Sequence, residues 1–374
     1  MKVTLSLTHQ CNLACHYCYS GKAVKKAMTF ETARKVVDFA FSTNGYEKKL
    51  DFCLFGGEPF LRFDLIQDIT GYIRQKEIQG DKPAQISITT NGTLLTQAMI
   101  DFLLRERINL CFSIDGPAYV HDQNRVFSNG KGSATAVYKN LQKALEHLDR
   151  IQVNAVYGPN TLEYLPESVK FLHELGTPVI HLNPNICVSW TANANSKFQE
   201  TYSQIGDYYI DCYLHGDEIS VNLIDNKIIL FLKDGYSPDD ICGMGETEWG
   251  FAPSGNIYPC ERFIGEDLQR SMCLGNIHNG IDKERQISII DQRGNHNPEC
   301  RDCHYSRFCM NWCGCTNYHL TGNTSLVSPM MCASERAAIY TARQVLETLL
   351  EENCSLFVNH LMDHFNEGRH YANS

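Results

Sequence analysis

Several things are missing from this 374-residue chain, and each absence excludes a class of protein. No apolar run approaches the roughly 20 residues a membrane helix needs. The first ten residues alternate apolar and polar types and carry none of the charge and cleavage pattern of a secretion signal. There are no repeats and no low-complexity tracts. Basic residues are outnumbered, 33 Lys and Arg against 43 Asp and Glu, for a formal net charge of −10. A chain this acidic lacks the basic face that non-specific nucleic-acid binding requires. A cytoplasmic protein with neither nucleic acid nor membrane as partner is expected. Cysteine, in contrast, is abundant, with seventeen residues. Without a secretion signal they argue for metal sites, catalysis or packing rather than a disulfide framework.

The first half alternates two kinds of segment. Short apolar runs at 3–8, 50–55, 85–90, 110–114, 151–157 and 179–184 read as buried parallel strands. Between them, 30–43, 63–78, 96–105, 133–148 and 162–175 carry helical periodicity; the last has Leu165, Val169, Leu172 and Leu175 on one face. Repeated βα units imply a parallel sheet, either doubly wound or an open TIM-type barrel. Residues 191–241 form a helical bridge with an aromatic stretch at Tyr208, Tyr209 and Tyr213. From 242 to 340 periodicity weakens and cysteine becomes dense, the signature of a small domain organised by metal. A terminal helix is expected from Glu335 to about Leu361 and a polar tail from Asn366, with 341–374 as the C-terminal segment.

Cys11, Cys15 and Cys18 stand in the spacing C-x3-C-x2-C directly after the first strand. Loops after barrel strands form the catalytic face. Three thiolates can hold three corners of a [4Fe–4S] cubane and leave its fourth iron open. Zinc is the alternative, but a structural zinc site wants four ligands, and only His9 and His16 lie near. A second array runs Cys242-x12-Gly255-x4-Cys260, then Cys300-x2-Cys303-x5-Cys309-x3-Cys313, then Cys332. A zinc ribbon is the alternative there. Cys53, Cys111, Cys187, Cys212 and Cys354 are read as packing residues.

The first triad, with Tyr17 before its last cysteine, resembles the radical S-adenosylmethionine (SAM) superfamily. Gly56-Gly57-Glu58-Pro59, Thr90-Asn91-Gly92 and Ser113-Ile114-Asp115 follow at successive strand ends, in the family's order. Singly, each reads as turn chemistry. The resemblance implies that Gly56, Gly57, Glu58 and Pro59 serve SAM's amino group. It also implies that Ser113 and Asp115 face its carboxylate and ribose, with Tyr17 and Asn91 in the same cofactor-binding set. The second array resembles a SPASM domain, the auxiliary-cluster module of peptide- and protein-modifying members. By that likeness Cys300, Cys303, Cys309 and Cys332 hold a distal cluster, and Cys242, Cys260 and Cys313 a proximal one. The expected cofactors are therefore SAM and three [4Fe–4S] clusters. The expected fold is a partial (β/α)6 barrel over 1–190, the bridge, a SPASM domain over 242–340 and a C-terminal helix.

The proximal set is one thiolate short. An open iron, Asp239 or Asp240, or a recruited Cys273 or Cys315 would each complete it. Glu261 follows Cys260 where sulfatase-maturing relatives place a catalytic Asp, so it is the candidate base; a surface carboxylate paired with Arg262 is the alternative. Those relatives also carry Gln before the Gly-Gly-Glu-Pro motif, where this chain has Phe55, which disfavours formylglycine formation. The resemblance implies radical modification of a peptide or protein, first of all ribosomal-peptide maturation by a thioether or carbon–carbon crosslink. Sulfatase-maturase-like oxidation and a non-catalytic SAM- or cluster-binding scaffold are the alternatives. Strand one begins at residue 3, so no winged-helix leader module is expected; a separate protein delivers the peptide, or the barrel mouth and bridge recognise it. An electron donor such as flavodoxin or ferredoxin is the further partner.

Overall fold

The computed structural model describes all residues except 22, 44–48, 81, 149–150, 269, 293–296 and 367–374; the side chains of 239, 270 and 363–366 are also outside it. The chain forms two compact units, one of 1–113, 121–151 and 243–292, the other of 114–120, 152–242 and 293–374.

In the first unit the apolar runs become parallel strands: β1 (Lys2–Ser6), β2 (Leu50–Phe55), β3 (Ala84–Thr90) and β4 (Asn109–Ser113). They pair in sequence order, with Ser6 opposite Phe55, Leu54 opposite Ile88 and Thr90 opposite Phe112. Their C-terminal ends therefore lie on one side. The Phe30–Thr43 helix buries Ala33, Val36, Val37 and Ala40, a single helical stripe, and Thr29 caps it by accepting the Thr32 amide at 3.1 Å. The Phe63–Gly80 helix buries Leu65, Ile66, Ile69 and Ile73 in the same way.

Weak periodicity after residue 242 conceals four more strands in this unit. β8 (Glu248–Phe251) pairs in parallel with the free side of β1, Lys2 opposite Glu248. β9 (Asn256–Tyr258), β10 (Gly275–Asn276) and β11 (Gly280–Ile281) continue outward in antiparallel fashion. Part of the cysteine-rich region thus extends the barrel's own sheet.

The second unit contains β5 (Ile151–Tyr157), whose residues from Gln152 belong to it, with β6 (Val179–Pro184) and β7 (Ser220–Val221), again parallel. The bridge is the helices Phe198–Leu214 and Asn222–Leu232, and the chain ends in Pro329–Glu351 and Ser355–Asn366. Tyr202, Tyr209 and Tyr213 are core residues rather than surface aromatics. Tyr209 packs on Tyr213 at 4.9 Å, and Tyr213 meets Phe357 at 5.4 Å. Gly206 has no room for a Cβ, which would come within 2.6 Å of Thr341, so the bridge and the C-terminal helix pack closely. No described helix is long and apolar enough to cross a membrane.

Candidate active site

The Cys11–Cys18 loop leaves the end of β1 and is fixed on three sides. First, the β2 turn reaches under it. Gly57 N–H donates to Thr8 O at 2.6 Å and Glu58 N–H to Gln10 O at 2.8 Å. Both glycines are required by this approach: a Cβ on Gly56 would lie 2.5 Å from Thr8 O, and one on Gly57 2.2 Å from Gln10 O.

Second, Glu58 ties the turn to β3. It is wholly buried; one carboxylate oxygen accepts from Phe60 N–H (3.0 Å) and Thr90 Oγ1 (2.8 Å), the other from Asn91 N–H (2.7 Å). Burial raises its pKa to about 7, against the pull of those three donors. Pro59 opens the short turn that Glu58 caps. The Asn91 amide donates to Asn12 Oδ1 (2.9 Å) and reaches Cys11 Sγ (3.7 Å), which also accepts from Leu13 N–H (3.4 Å). Glu58 and Asn91 thus form a hydrogen-bonded floor beneath the first cysteine.

Third, the segment after residue 123 lies along the loop. Ala14 N–H donates to Val126 O (2.7 Å) and His16 N–H to Asn124 O (3.0 Å). The buried Arg125 places its guanidinium 5.2 Å from the centre of the Tyr17 ring, a cation–π contact. Sequence reading missed Arg125, because nothing local distinguishes a lone arginine 107 positions beyond Cys18 from a surface residue.

Cys15 and Cys18 add to the cost of ionising Cys11. Burial first, then neighbouring Glu58, Cys15 and Cys18, push the Cys11 thiol up to about 12. Such a crowd of thiols is stable as thiolates only around a cation, which deprotonates coordinating sulfur outright. All seventeen cysteines are outside disulfides. Among the described residues, no three Cys, His, Asp or Glu side chains are drawn in around one metal-ion-sized point. A cubane spreads its ligands more widely than a single ion does, and the donor set suits it.

Ser113 closes β4 in the first unit. Asp115 is buried in the second unit, where it accepts Val156 N–H at 2.9 Å and so also caps β5.

Glu261 lies on the turn Glu261–Phe263 after β9. Gly250 in β8 admits this turn, since a Cβ there would sit 2.9 Å from the Glu261 backbone. The Cys260 thiol donates to Glu261 Oε2 at 3.3 Å. Burial works to raise the Glu261 pKa, but the Lys2 and Arg262 cations hold it below the usual glutamate value. Glu261 is therefore half-buried beside a candidate ligand and faces two cations, not one. The segment after the turn meets the stretch that follows Cys18: Gly21 packs on Glu266, and Lys26 forms an ion pair with the buried Asp267. Asp267 also accepts from Asn256 (2.9 Å) and Tyr258 (3.0 Å). Neither Lys2 nor Asp267 was marked by sequence pattern, since each acts through a partner more than 200 positions away. Phe55 stacks on Tyr19, centroids 6.0 Å apart and planes 7° from parallel.

In the second unit Cys300, Cys303, Cys309 and Cys332 come together. Burial pushes the Cys309 thiol up, and Cys332 and Cys300 add to it; Cys332 in turn feels Cys300 and Cys303. A buried Lys227–Glu335 ion pair (2.7 Å) holds the loop before Cys309, with Lys227 donating to Phe308 O at 2.9 Å. Cys242 and Cys313 belong to this unit, Cys260 to the other. Of the candidate fourth ligands, Asp240 is engaged by Lys233 and by the Ser237 capping box. The side chain of Asp239 lies outside the described residues. Cys273 Sγ sits 3.3 Å from Gly275 O, and Cys315 Sγ lies 3.6 Å from Cys313 Sγ. Among the cysteines read as packing, Cys111 and Cys212 are buried and Cys187 is exposed.

Comparison with known proteins fits this geometry. Residues 5–172 match the radical SAM superfamily model. The cysteine-type anaerobic sulfatase-maturating enzyme of Clostridium novyi is 24% identical over 327 residues, covering 81% of this chain and 84% of that one. Uncharacterized protein MJ0907 of Methanocaldococcus jannaschii is 30% identical over 279 residues, covering 73% and 87%. Among solved structures, native anSMEcpe with bound AdoMet and Cp18Cys peptide superposes with a TM-score of 0.79 at 19% identity over 94% of this chain and 99% of that one. Streptococcus suis SuiB bound to precursor peptide SuiA gives 0.63 at 16% identity, covering 88% and 75%. Those superpositions agree with the expected partial barrel. With its cysteine loop held at the strand ends and these relatives over most of its length, the chain belongs to the radical SAM superfamily and is a radical SAM enzyme, with SAM and a [4Fe–4S] cluster as its family cofactors.

Proposed function

We propose that this enzyme modifies a peptide by radical chemistry, closing a thioether or carbon–carbon crosslink in a ribosomally made precursor. In this reading Cys11, Cys15 and Cys18 hold the SAM-binding cluster. Ser113 and Asp115 orient SAM, and two auxiliary clusters occupy the second cysteine array. When bound, SAM and its cluster supply a 5′-deoxyadenosyl radical that takes a hydrogen atom from the substrate. The chain's own contribution is to hold the loop rigid through Glu58, Asn91 and Arg125, and to accept the proton released on bond closure at Glu261.

The observation that carries the reading is that Glu261 lies within electrostatic reach of Tyr19, the residue after Cys18, while Glu266 and Asp267 just beyond it meet Gly21 and Lys26. Peptide as the substrate class is supported by the relatives, which include sulfatase-maturating enzymes and structures holding peptides. The second reading, formylglycine formation, has the sulfatase-maturating relatives in its favour. Against it stands Phe55, which stacks on Tyr19 and whose own side chain offers a substrate no hydrogen bond. An electron donor such as flavodoxin or ferredoxin supplies electrons, and a separate protein delivers the precursor.

The test is anaerobic incubation with SAM, a reductant and precursor peptides encoded beside the gene. A crosslinked product has lost two hydrogens and does not react with hydrazine probes. An aldehyde product would replace this proposal with the sulfatase-maturase reading. Glu261→Gln is expected to preserve SAM cleavage and to stop crosslink formation; undiminished product from that variant would remove Glu261 from the mechanism.

A further inference from the structure

Away from the cysteine loops, the first unit carries an open groove of about 990 Å³. Its walls come from stretches far apart in sequence: the helix Phe30–Thr43, the end of the helix Phe63–Gly80, Lys82 before β3, and β9 with the β10–β11 turn. Every lining residue belongs to this unit. The groove lies on the helix-covered side of the sheet. Phe39 packs on Trp249 and Phe251 at 5.5 and 5.7 Å, and Ile257 stands opposite Phe251 in register. Side chains alternate along a strand, so Gly250, which admits the Glu261 turn, faces the other side. The groove and the candidate base are thus on opposite faces of β8.

The chain as a whole has a net charge of −10, yet this groove reverses the sign. Lys35, Lys76, Lys82 and Lys283 line it against one carboxylate, Asp38, which Lys76 already pairs at 2.6 Å. Glu31 lies 3.6 Å from Lys35 on the same helix, an exposed pair of the kind that contributes little. The same groove is lined by apolar side chains. Phe39, Phe41, Ile277 and Ile281 are half-buried, and Ile257 is buried. Phe41 is held from behind by Phe52 at 6.1 Å, as Phe39 is by Trp249 and Phe251, so the surface is preformed. A small anion has no use for such an apolar lining. A segment bearing both carboxylates and apolar side chains matches both features. Gly280 and Ile281 form β11, the last strand of the sheet, and among the described residues no strand pairs with its outer edge. A chain in extended form can lie along such an edge.

We infer that this groove docks an acidic segment of the peptide substrate, one that intersperses Glu and Asp with large apolar residues. The inference rests on the reading that the substrate is a peptide, and it deepens that reading by giving the chemistry of a recognition segment. Because the groove and Glu261 lie on opposite faces of β8, the docked segment is a handle rather than the place where the bond forms.

The experiment uses the full chain, purified anaerobically with its clusters, and a fluorescently labelled peptide of alternating glutamate and leucine. The same peptide with glutamine in place of glutamate is the reference. Anisotropy should show the glutamate peptide binding more tightly, with the difference shrinking as salt is raised. Lys35→Glu combined with Lys283→Glu should weaken that binding about tenfold, two exposed attractions being exchanged for two repulsions. Lys35→Gln combined with Lys283→Gln should weaken it less. Iron content and SAM cleavage should stay at the parent level in both double variants, which shows the fold intact. With a precursor that carries an acidic segment, charge reversal should raise KM and leave kcat unchanged. Equal binding of the two peptides by the parent, or undiminished glutamate-peptide binding by the charge-reversed variant, would overturn the inference. So would an acidic protein such as flavodoxin that binds the parent and not the charge-reversed variant while the peptide stays unbound, since the groove would then serve a protein partner. Binding as expected with no peptide modified in the turnover assay would overturn the peptide-substrate reading instead, and with it the segment's role as a handle.

Discussion

Glu58 is where the first three strand ends are fastened together, and its chemistry predicts a specific failure. Both oxygens accept hydrogen bonds, and the side chain is fully buried. Replacing it with Gln puts an NH2 against an N–H or hydroxyl donor. Leaving buried donors unmatched costs about 1–3 kcal/mol, so Glu58→Gln should lower the denaturant midpoint, and an unchanged midpoint would mean the floor is not load-sharing. His360 supports a second residue-level prediction, independent of any metal. It is buried with Nδ1 3.0 Å from Glu218 and Nε2 3.6 Å from Asp225, and its ring faces Tyr213. Burial alone would lower its pKa, but the two carboxylates raise it. A raised folded pKa contributes stability that is complete below the unfolded value, about 6.5. That stability is lost as pH rises through the folded value. The melting temperature of the parent should therefore fall over that interval more than that of His360→Gln. Parallel pH profiles would show that the pair contributes nothing.

Among the structural elements, the loop at the end of β1 depends on close backbone approach more than on its own side chains. Gly57→Ala would force a Cβ to within 2.2 Å of Gln10 O. The loop must move, and the expected result is loss of about four irons with the other clusters retained. Gly71 in the Phe63–Gly80 helix is the control, since a Cβ there meets nothing within 4 Å. Gly71→Ala should leave iron unchanged and stabilise the protein by about 0.5–1 kcal/mol; equal iron in both variants would contradict the role given to Gly57. The parallel strands and their helices were legible in the sequence because each carries its own periodicity. Val36, Val37 and Ala40 announce a helix face without reference to anything distant. β8 to β11 were not legible. They are strands of two to four residues, too short for alternation to register, and β8 is a strand because β1, more than 240 positions earlier, offers it an edge. The same non-locality hid Arg125, Lys2 and Asp267. The cysteines, Glu58 and the glycines were visible because their spacing is local.

For the molecule as a whole, two cysteine arrays of different character imply separable metal contents. Three cubanes correspond to about twelve irons per chain, and stoichiometric zinc with little iron in anaerobically purified protein would contradict the cluster assignment for both arrays. The central claim is narrower and can be tested without knowing the peptide. Reconstituted enzyme incubated anaerobically with SAM and dithionite should release 5′-deoxyadenosine, and the Cys11, Cys15 and Cys18 triple alanine variant should release none. Iron-replete parent protein that binds SAM yet forms no 5′-deoxyadenosine would contradict it and leave a cluster-binding scaffold in its place.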